Sequence, residues 1–207
     1  MIIGVSGKIG SGKNEVANML SYLLFINPDG TYQKYEFQKK LYEAYLNNKL
    51  YDQAEYKFPN IHSFAENLKK CTSICTGIDY HLLEDRAIKA SEIDWLGLTH
   101  RQLLQSFGEA IRSQINENFW ILSMFSTYTD SKFWIVSDVR YKNEAEAIRE
   151  RGGFLIRLLR SGNQSDTHSS ETDLDDYPNF DILIANDSSL EVLFDRVKEV
   201  IKKLIKK

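Results

Sequence analysis

The sequence predicts an α/β fold, a parallel sheet covered by helices on both faces. Three observations carry that prediction. Short apolar, β-branched runs alternate with stretches of helical period along most of the chain. A glycine-rich turn joins the first such run to the first helix. The 207 residues, 43% hydrophobic and 27% charged, suit one α/β domain with a sizeable core. One domain over 1–207 is therefore expected, with neither repeats nor a second domain.

Each element has its own signal. "MIIGVS" is a short buried strand ended by Gly7. A helix is expected from Lys13 to Phe25, because Val16, Met19, Leu20 and Leu23 fall at helical spacing. "NPDG" at 27–30 breaks the chain, and the Tyr-, Lys- and Glu-rich stretch to about residue 60 suggests an exposed helical insert over 27–60. "IHSFA" (61–65) is a candidate second strand leading into the helix of "ENLKKCTSICTGI". "THRQLLQSFGEAIRSQI" has a strong helical pattern that Thr99 can cap. "ENFWILSMFSTYT" is the next helix, and "KFWIVSDV" the clearest buried strand. "EAEAIRERGG" is a helix stopped at Gly152, followed by strand "FLIRLLR". Residues 161–179 form a polar loop of lid character. "FDILIA" is the last strand and "SLEVLFDRVKEVIKKLIKK" the last helix.

Composition narrows the partners. A net charge of −3 draws the chain neither to nucleic acid nor to an anionic membrane. No apolar run reaches the ~18 residues of a membrane span. "MIIGV" is short and lacks a basic leader, so it is not expected to be a signal peptide. Cys71 and Cys75, four apart on a helix, lack metal-site partners and are expected as reduced, core-side thiols. The setting expected from these features is cytoplasmic.

The chemistry begins in "SGKIGSGKNE". Gly7, Lys8, Gly10, Ser11, Gly12 and Lys13 fit G-x-x-x-x-G-K, placed between a strand and a helix as that pattern requires. Glycines let successive N–H groups curl around an anion, and the helix N-terminus adds partial positive charge. Lys13 is placed to reach the β- and γ-phosphates of a nucleotide. Two residues depart from the common pattern. Asn14 stands where a hydroxyl usually meets Mg²⁺, and Glu15 stands where a hydroxyl usually meets the α-phosphate. A carboxylate there repels phosphate unless it turns away or is offset by Mg²⁺ or Lys8. The plainer reading of Glu15 is a first-turn acid that suits the helix dipole.

Asp138 ends the buried strand of "FWIVSDVR", where Mg²⁺ is held beside a phosphate loop. Arg140 lies at the same sheet edge and can clamp a second phosphate as a fork, although an Asp138–Arg140 salt bridge is the plainer alternative. Lys69, Arg101 and Arg112, singly surface charges, together suggest a cationic wall, with Trp120 nearby in sequence. "THSSETDLDD" adds His168 and Glu171, in a mobile lid or a plain surface loop.

In their order, "SGKIGSGK", "FAENLK", "LLQSFGEAIRSQINENFW", "SDVRYKNEAEAI", "SETDLDD" and "FDILIAND" resemble the phage-type deoxynucleoside monophosphate kinases. A more distant likeness is to animal-type phosphomevalonate kinase. That family's loop usually reads "SGKDT", so Asn14 and Glu15 replace its Asp and Thr. The resemblance implies the P-loop nucleoside monophosphate kinase fold, with five parallel strands, an acceptor insert and a short lid. It implies transfer of the ATP γ-phosphate to a dNMP, with Mg²⁺ at Asp138. Lys13, Asp138 and Arg140 are then catalytic, and Gly7 to Glu15 together with Asn186 hold the nucleotide. Lys69, Arg101, Arg112, Trp120, Arg140 and Glu171 are then acceptor-side residues. The implied partners are small molecules, ATP and a dNMP, with a homodimer possible and host cytoplasm the setting if the gene is phage-borne. Two alternatives stay open: a kinase for another small phosphorylated acceptor such as phosphomevalonate, and a nucleotide-binding protein whose chemistry has lapsed through Glu15.

Overall fold

A computed structural model describes residues 1–25, 61–85, 88–129, 133–160 and 168–205. The expected insert at 27–60 lies outside them, as does the first part of the expected lid. The described residues form two compact units, one of 1–61 with 133–207 and one of 62–132.

The first unit holds a sheet of order β2-β5-β1-β6-β7. Its strands are β1 (Ile2–Gly7), β2 (Ile61–His62), β5 (Trp134–Val139), β6 (Phe154–Leu159) and β7 (Ile182–Ala185). The five strands form the parallel sheet that the sequence predicted. β1 is central and almost wholly buried, which is why it reads as a continuous apolar run rather than an alternating one. Side chains of successive strand residues point to opposite faces. Ile3 and Val5 join Val16, Leu20 and Leu23 of helix α1 (Lys13–Phe25) and Leu193, Val197 and Ile201 of helix α8 (Leu190–Ile205) in one core. Gly4 faces the other side. A Cβ there would come within 2.7 Å of Ile148 on helix α6 (Lys142–Arg149), so helices cover both faces.

Register fixes what stands at the carboxyl edge. β1 and β5 pair Gly4 with Val136 but Ser6 with Val139, so β5 carries one extra residue across Ser137–Asp138. A bulge of this kind re-aims side chains. It falls at the strand end, where Asp138 and Arg140 emerge beside the turn that follows Gly7.

The second unit is mainly helical: α2 (Ala65–Thr76), α3 (Tyr80–Glu84), α4 (His100–Gln114) and α5 (Phe119–Phe125), with a short hairpin of β3 (Glu92–Ile93) and β4 (Leu98–Thr99). Thr99 caps α4 as expected, and Gln102 completes a reciprocal capping box. The predicted strand "IHSFA" shrinks to two residues, because Ala65 already begins α2. Cys71 is half-buried and Cys75 exposed, which corrects the expectation of core-side thiols. The buried position on α2 is Thr72, and position 75 turns to another side of the helix. The hairpin and α3 carry too few residues for a periodic signal, and the sequence reading missed them. Among the described residues no helix is long and apolar enough to cross a membrane.

Candidate active site

The turn between β1 and α1 is built from its glycines. Gly7 has φ 151° and Gly12 φ 96°, conformations that L side chains rarely adopt. Both are also crowded. A Cβ on Gly7 would lie 2.5 Å from Ser11 Oγ, and one on Gly12 would lie 2.7 Å from Asn186 Nδ2. Two of the loop's carbonyls are engaged from outside. Asn186 Nδ2 donates to Ser11 O at 2.8 Å, and Arg160 donates to Gly10 O at 3.2 Å. The N–H groups of Gly10, Gly12 and Asn14 donate to no group among the described residues. Carbonyls tied outward and amides left over make a concave anion site.

Two further features fit a phosphate-bearing ligand. Ser11 is buried, yet its Oγ has no hydrogen-bond partner among the described residues. Such an orphan is costly unless a ligand or water serves it. Lys13 is only 8% exposed and donates to Gly7 O at 2.5 Å and Lys8 O at 2.9 Å. Its ammonium therefore lies over the turn rather than out in solvent. Asn14 is exposed and Glu15 half-buried in the first turn of α1. Lys8, expected to offset Glu15, is instead bonded to Asp175 at 2.5 Å and to Glu171 O at 2.5 Å.

Asp138 is half-buried at the bulge and offers a hard oxygen of the kind Mg²⁺ takes. Among the described residues no group of three or more His, Cys, Asp or Glu side chains can hold a metal. Arg140 follows. Its ion partner is Glu171, not Asp138, so the Asp138–Arg140 salt bridge weighed from the sequence does not form. The Arg140 main chain is held by Glu144, whose carboxylate accepts from the N–H of Arg140 at 2.7 Å and of Tyr141 at 3.0 Å. Glu144 is buried and was missed in the sequence, although an acid in the first turn of a helix is a capping signal.

The described part of the expected lid carries a one-turn helix, α7 (Ser169–Thr172), followed by turns to Tyr177. It is strapped to the first unit. Glu171 reaches Arg140 and the Ile9 N–H, the latter at 2.7 Å. Asp175 takes Lys8 and, at 2.8 Å, Arg157. Lys142 N–H donates to Asp173 at 2.7 Å, and Tyr177 donates to Glu146 at 2.6 Å. Burial pushes the Asp175 carboxyl up, but Lys8 and Arg157 outweigh it and hold the group below its ordinary value. Burial and the bond to Glu146 push the Tyr177 phenol up to about 12.

The remaining acceptor-side candidates lie in the second unit. Lys69 pairs with Glu84 at 2.8 Å and rests over the Tyr80 ring. Arg101 and Arg112 are half-exposed on α4, and Arg101 has no ion pair among the described residues. Trp120 is buried, with its indole N–H bonded to Gly108 O at 3.2 Å. It packs edge-on against Phe119.

A parallel sheet whose central strand runs through a glycine-lined anion turn into a helix defines a P-loop kinase fold. A model of the family described as deoxynucleotide monophosphate kinase matches residues 33–197. The chain belongs to that family, whose members are phosphotransferases acting on nucleotide monophosphates. It is 31% identical over 152 residues to an Acanthamoeba polyphaga mimivirus protein provisionally named a deoxynucleotide monophosphate kinase, covering 65% of this chain and 79% of that one. It is 33% identical over 111 residues to the deoxynucleotide monophosphate kinase of Enterobacteria phage T4 and 28% over 109 residues to that of Escherichia phage RB69. These matches cover 50% and 49% of this chain but only 46% and 44% of the phage proteins. The family match begins downstream of the glycine turn, so the turn's assignment rests on its own geometry.

Proposed function

We propose that the protein transfers the γ-phosphoryl group of ATP to a deoxynucleoside monophosphate, giving ADP and the deoxynucleoside diphosphate. The observation that carries this reading is the anion turn at Gly7–Lys13, with its unserved amides, orphaned Ser11 Oγ and inward Lys13. Family membership supplies the acceptor class. Phosphoryl transfer asks for positioning and charge neutralisation more than for covalent chemistry. The turn's amides would take phosphate oxygens, and Lys13 would offset charge on the transferred group. Asp138 would hold Mg²⁺, which when bound neutralises phosphate charge. Arg140 would bind the acceptor phosphate. That phosphate is itself the nucleophile, so no strong base is needed.

Asn186 remains a nucleotide-side candidate and has a second part in the loop itself. Its side chain ties down the Ser11 carbonyl, so it supports the loop. Lys69, Arg101, Arg112 and Trp120 remain acceptor-side candidates, with Lys69 and Trp120 already engaged within their own unit. The setting we propose is cytoplasmic, in keeping with two free cysteines.

The test is an ADP-release assay with ATP and Mg²⁺ across the common dNMPs and NMPs. Turnover with one or more dNMPs is expected. ATP binding without turnover on any of them would leave the lapsed-enzyme reading standing. Turnover only with a non-nucleotide phosphate would replace the acceptor.

A further inference from the structure

We propose that Glu171 is a positioning residue that couples the two substrate sites, one carboxylate oxygen bracing the phosphate loop and the other aiming Arg140. This rests on the proposed reading of Arg140 as the acceptor-phosphate ligand.

Glu171 Oε2 accepts from the Ile9 N–H at 2.7 Å, and Oε1 pairs with Arg140 Nη1. The side chain is 3% exposed, so both bonds are shielded from water and strengthened by it. Ile9 lies inside the turn that would hold ATP. Arg140 lies at the end of the neighbouring strand. A single buried carboxylate therefore spans from one to the other.

A carboxylate in such a place has two opposite uses. It can stand in for a phosphate and be displaced by it, or it can stay and orient the groups around that phosphate. Three observations favour staying. Glu171 takes the Ile9 amide and leaves those of Gly10, Gly12 and Asn14 for an anion. It takes only one nitrogen of Arg140, whose side chain remains 32% exposed, so among the described residues most of the guanidinium's five donors are left for a phosphate. The strap that carries Glu171 is itself pinned through Lys8, Lys142 and Tyr177, so its main chain is held in place around the carboxylate. With Glu171 held between them, ordering of the turn on binding ATP also orders Glu171 and, through its second oxygen, Arg140. The two ligands then bind with positive coupling.

The experiment is calorimetric titration of the intact chain with a dNMP, with and without a non-hydrolysable ATP analogue and Mg²⁺. Wild-type protein should bind the dNMP about fivefold or more tightly when the analogue is present. Glu171→Gln keeps the shape but puts a donor against a donor. It should bring that ratio close to one and weaken dNMP binding about tenfold, while affinity for the analogue alone changes by less than about threefold. Glu171→Asp keeps the charge but is one methylene too short for both partners, and should behave like the Gln variant. Tighter dNMP binding by Glu171→Gln would overturn the brace and make the carboxylate a stand-in for phosphate. A wild-type ratio near one, or a ratio retained in both variants while the melting temperature falls, would reduce Glu171 to a structural ion pair. A wild-type protein that takes the analogue but no dNMP would overturn the acceptor assignment of Arg140 itself. Failure of the brace alone leaves wild-type dNMP binding intact, so the two are distinguishable.

Discussion

Lys13 and Lys69 are both largely hidden lysines, but different kinds of structure hold them. Lys13 lies on a turn whose shape is made by its own main chain, and it donates to carbonyls of that turn. Lys69 lies on a helix, pairs with the Glu84 carboxylate and covers the face of Tyr80. The first ammonium lies over the turn that would take a phosphate. The second lies against a carboxylate, which cancels much of its field locally. The first arrangement suits a group that acts on a ligand, and the second suits a group that holds a helix pair together.

The strongest way to break this contrast is Lys13→Ala. If Lys13 acts on the transferred group, turnover should fall by about 10²–10³, the usual size of one preorganised electrostatic group. Thermal unfolding should move little. Lys69→Ala should cost turnover far less. Steady-state assays of both variants check this, and comparable losses would erase the distinction.

Next in size is Arg140→Lys. A point charge cannot reproduce a fork, so dNMP affinity should fall about tenfold while ATP affinity shifts by less than about threefold. Calorimetry on each ligand decides it. Equal losses would make Arg140 part of the scaffold around Glu171.

Glu15→Thr sharpens the picture inside the loop. A carboxylate about 5 Å from a phosphate costs roughly 3 kcal/mol at an effective dielectric near 20, before screening. Lys8 is bonded elsewhere, so of the two offsets weighed from the sequence Mg²⁺ is the one the titrations vary. ATP should therefore bind several-fold more tightly to the variant, and the gain should be larger with chelator than with Mg²⁺. Identical affinities in all four titrations would show a surface acid that only suits the helix dipole.

These differences also explain what the sequence could disclose. The turn was legible because its chemistry is contiguous: seven residues carry the strand end, the glycines and the lysine. α4 was legible because Thr99 states its cap and its apolar period is strong, while the return bond from Gln102 came only with the structure. The partnership of Glu171 with Ile9 and Arg140 was not, since 162 and 31 residues separate the partners and no local spacing encodes that contact. The same holds for Asn186 under Ser11. The bulge at Ser137–Asp138 is a property of strand pairing, and the strand alone does not show it. The resemblance implied Trp120 on the acceptor side, where an aromatic ring suits a base, but burial is equally what a large apolar ring seeks. Trp120→Phe separates the two. Loss of its bond to Gly108 should cost about 1 kcal/mol of stability by denaturant unfolding, with dNMP affinity within about twofold of wild type. A tenfold loss of dNMP affinity would return Trp120 to the acceptor side.

The smallest effect concerns the strap. Asp175 sits between Lys8 and Arg157, and its carboxyl is held below the ordinary value of 3.8. A depressed folded-state value means that the folded protein prefers the charged form. The stabilisation is thus fully present above the unfolded value near 3.8 and is lost as pH falls through the lower folded value. Asp175 is 47% exposed, so water screens both pairs and the contribution at neutral pH should stay below about 1 kcal/mol. Asp175→Asn removes the charge while keeping the shape. Urea unfolding at pH 7, 5 and 3 should show the wild type slightly more stable at pH 7 and 5, with the gap closing at pH 3 as its own carboxyl takes up a proton. The other depressed carboxyls, Asp176, Asp187 and Glu199, are common to both proteins and cancel in the comparison. A gap that stays constant down to pH 3 would mean that Asp175 contributes by packing and hydrogen-bond shape. The charge of Asp175 would then add nothing to what the Glu171–Arg140 pair and the Tyr177–Glu146 bond supply to the strap.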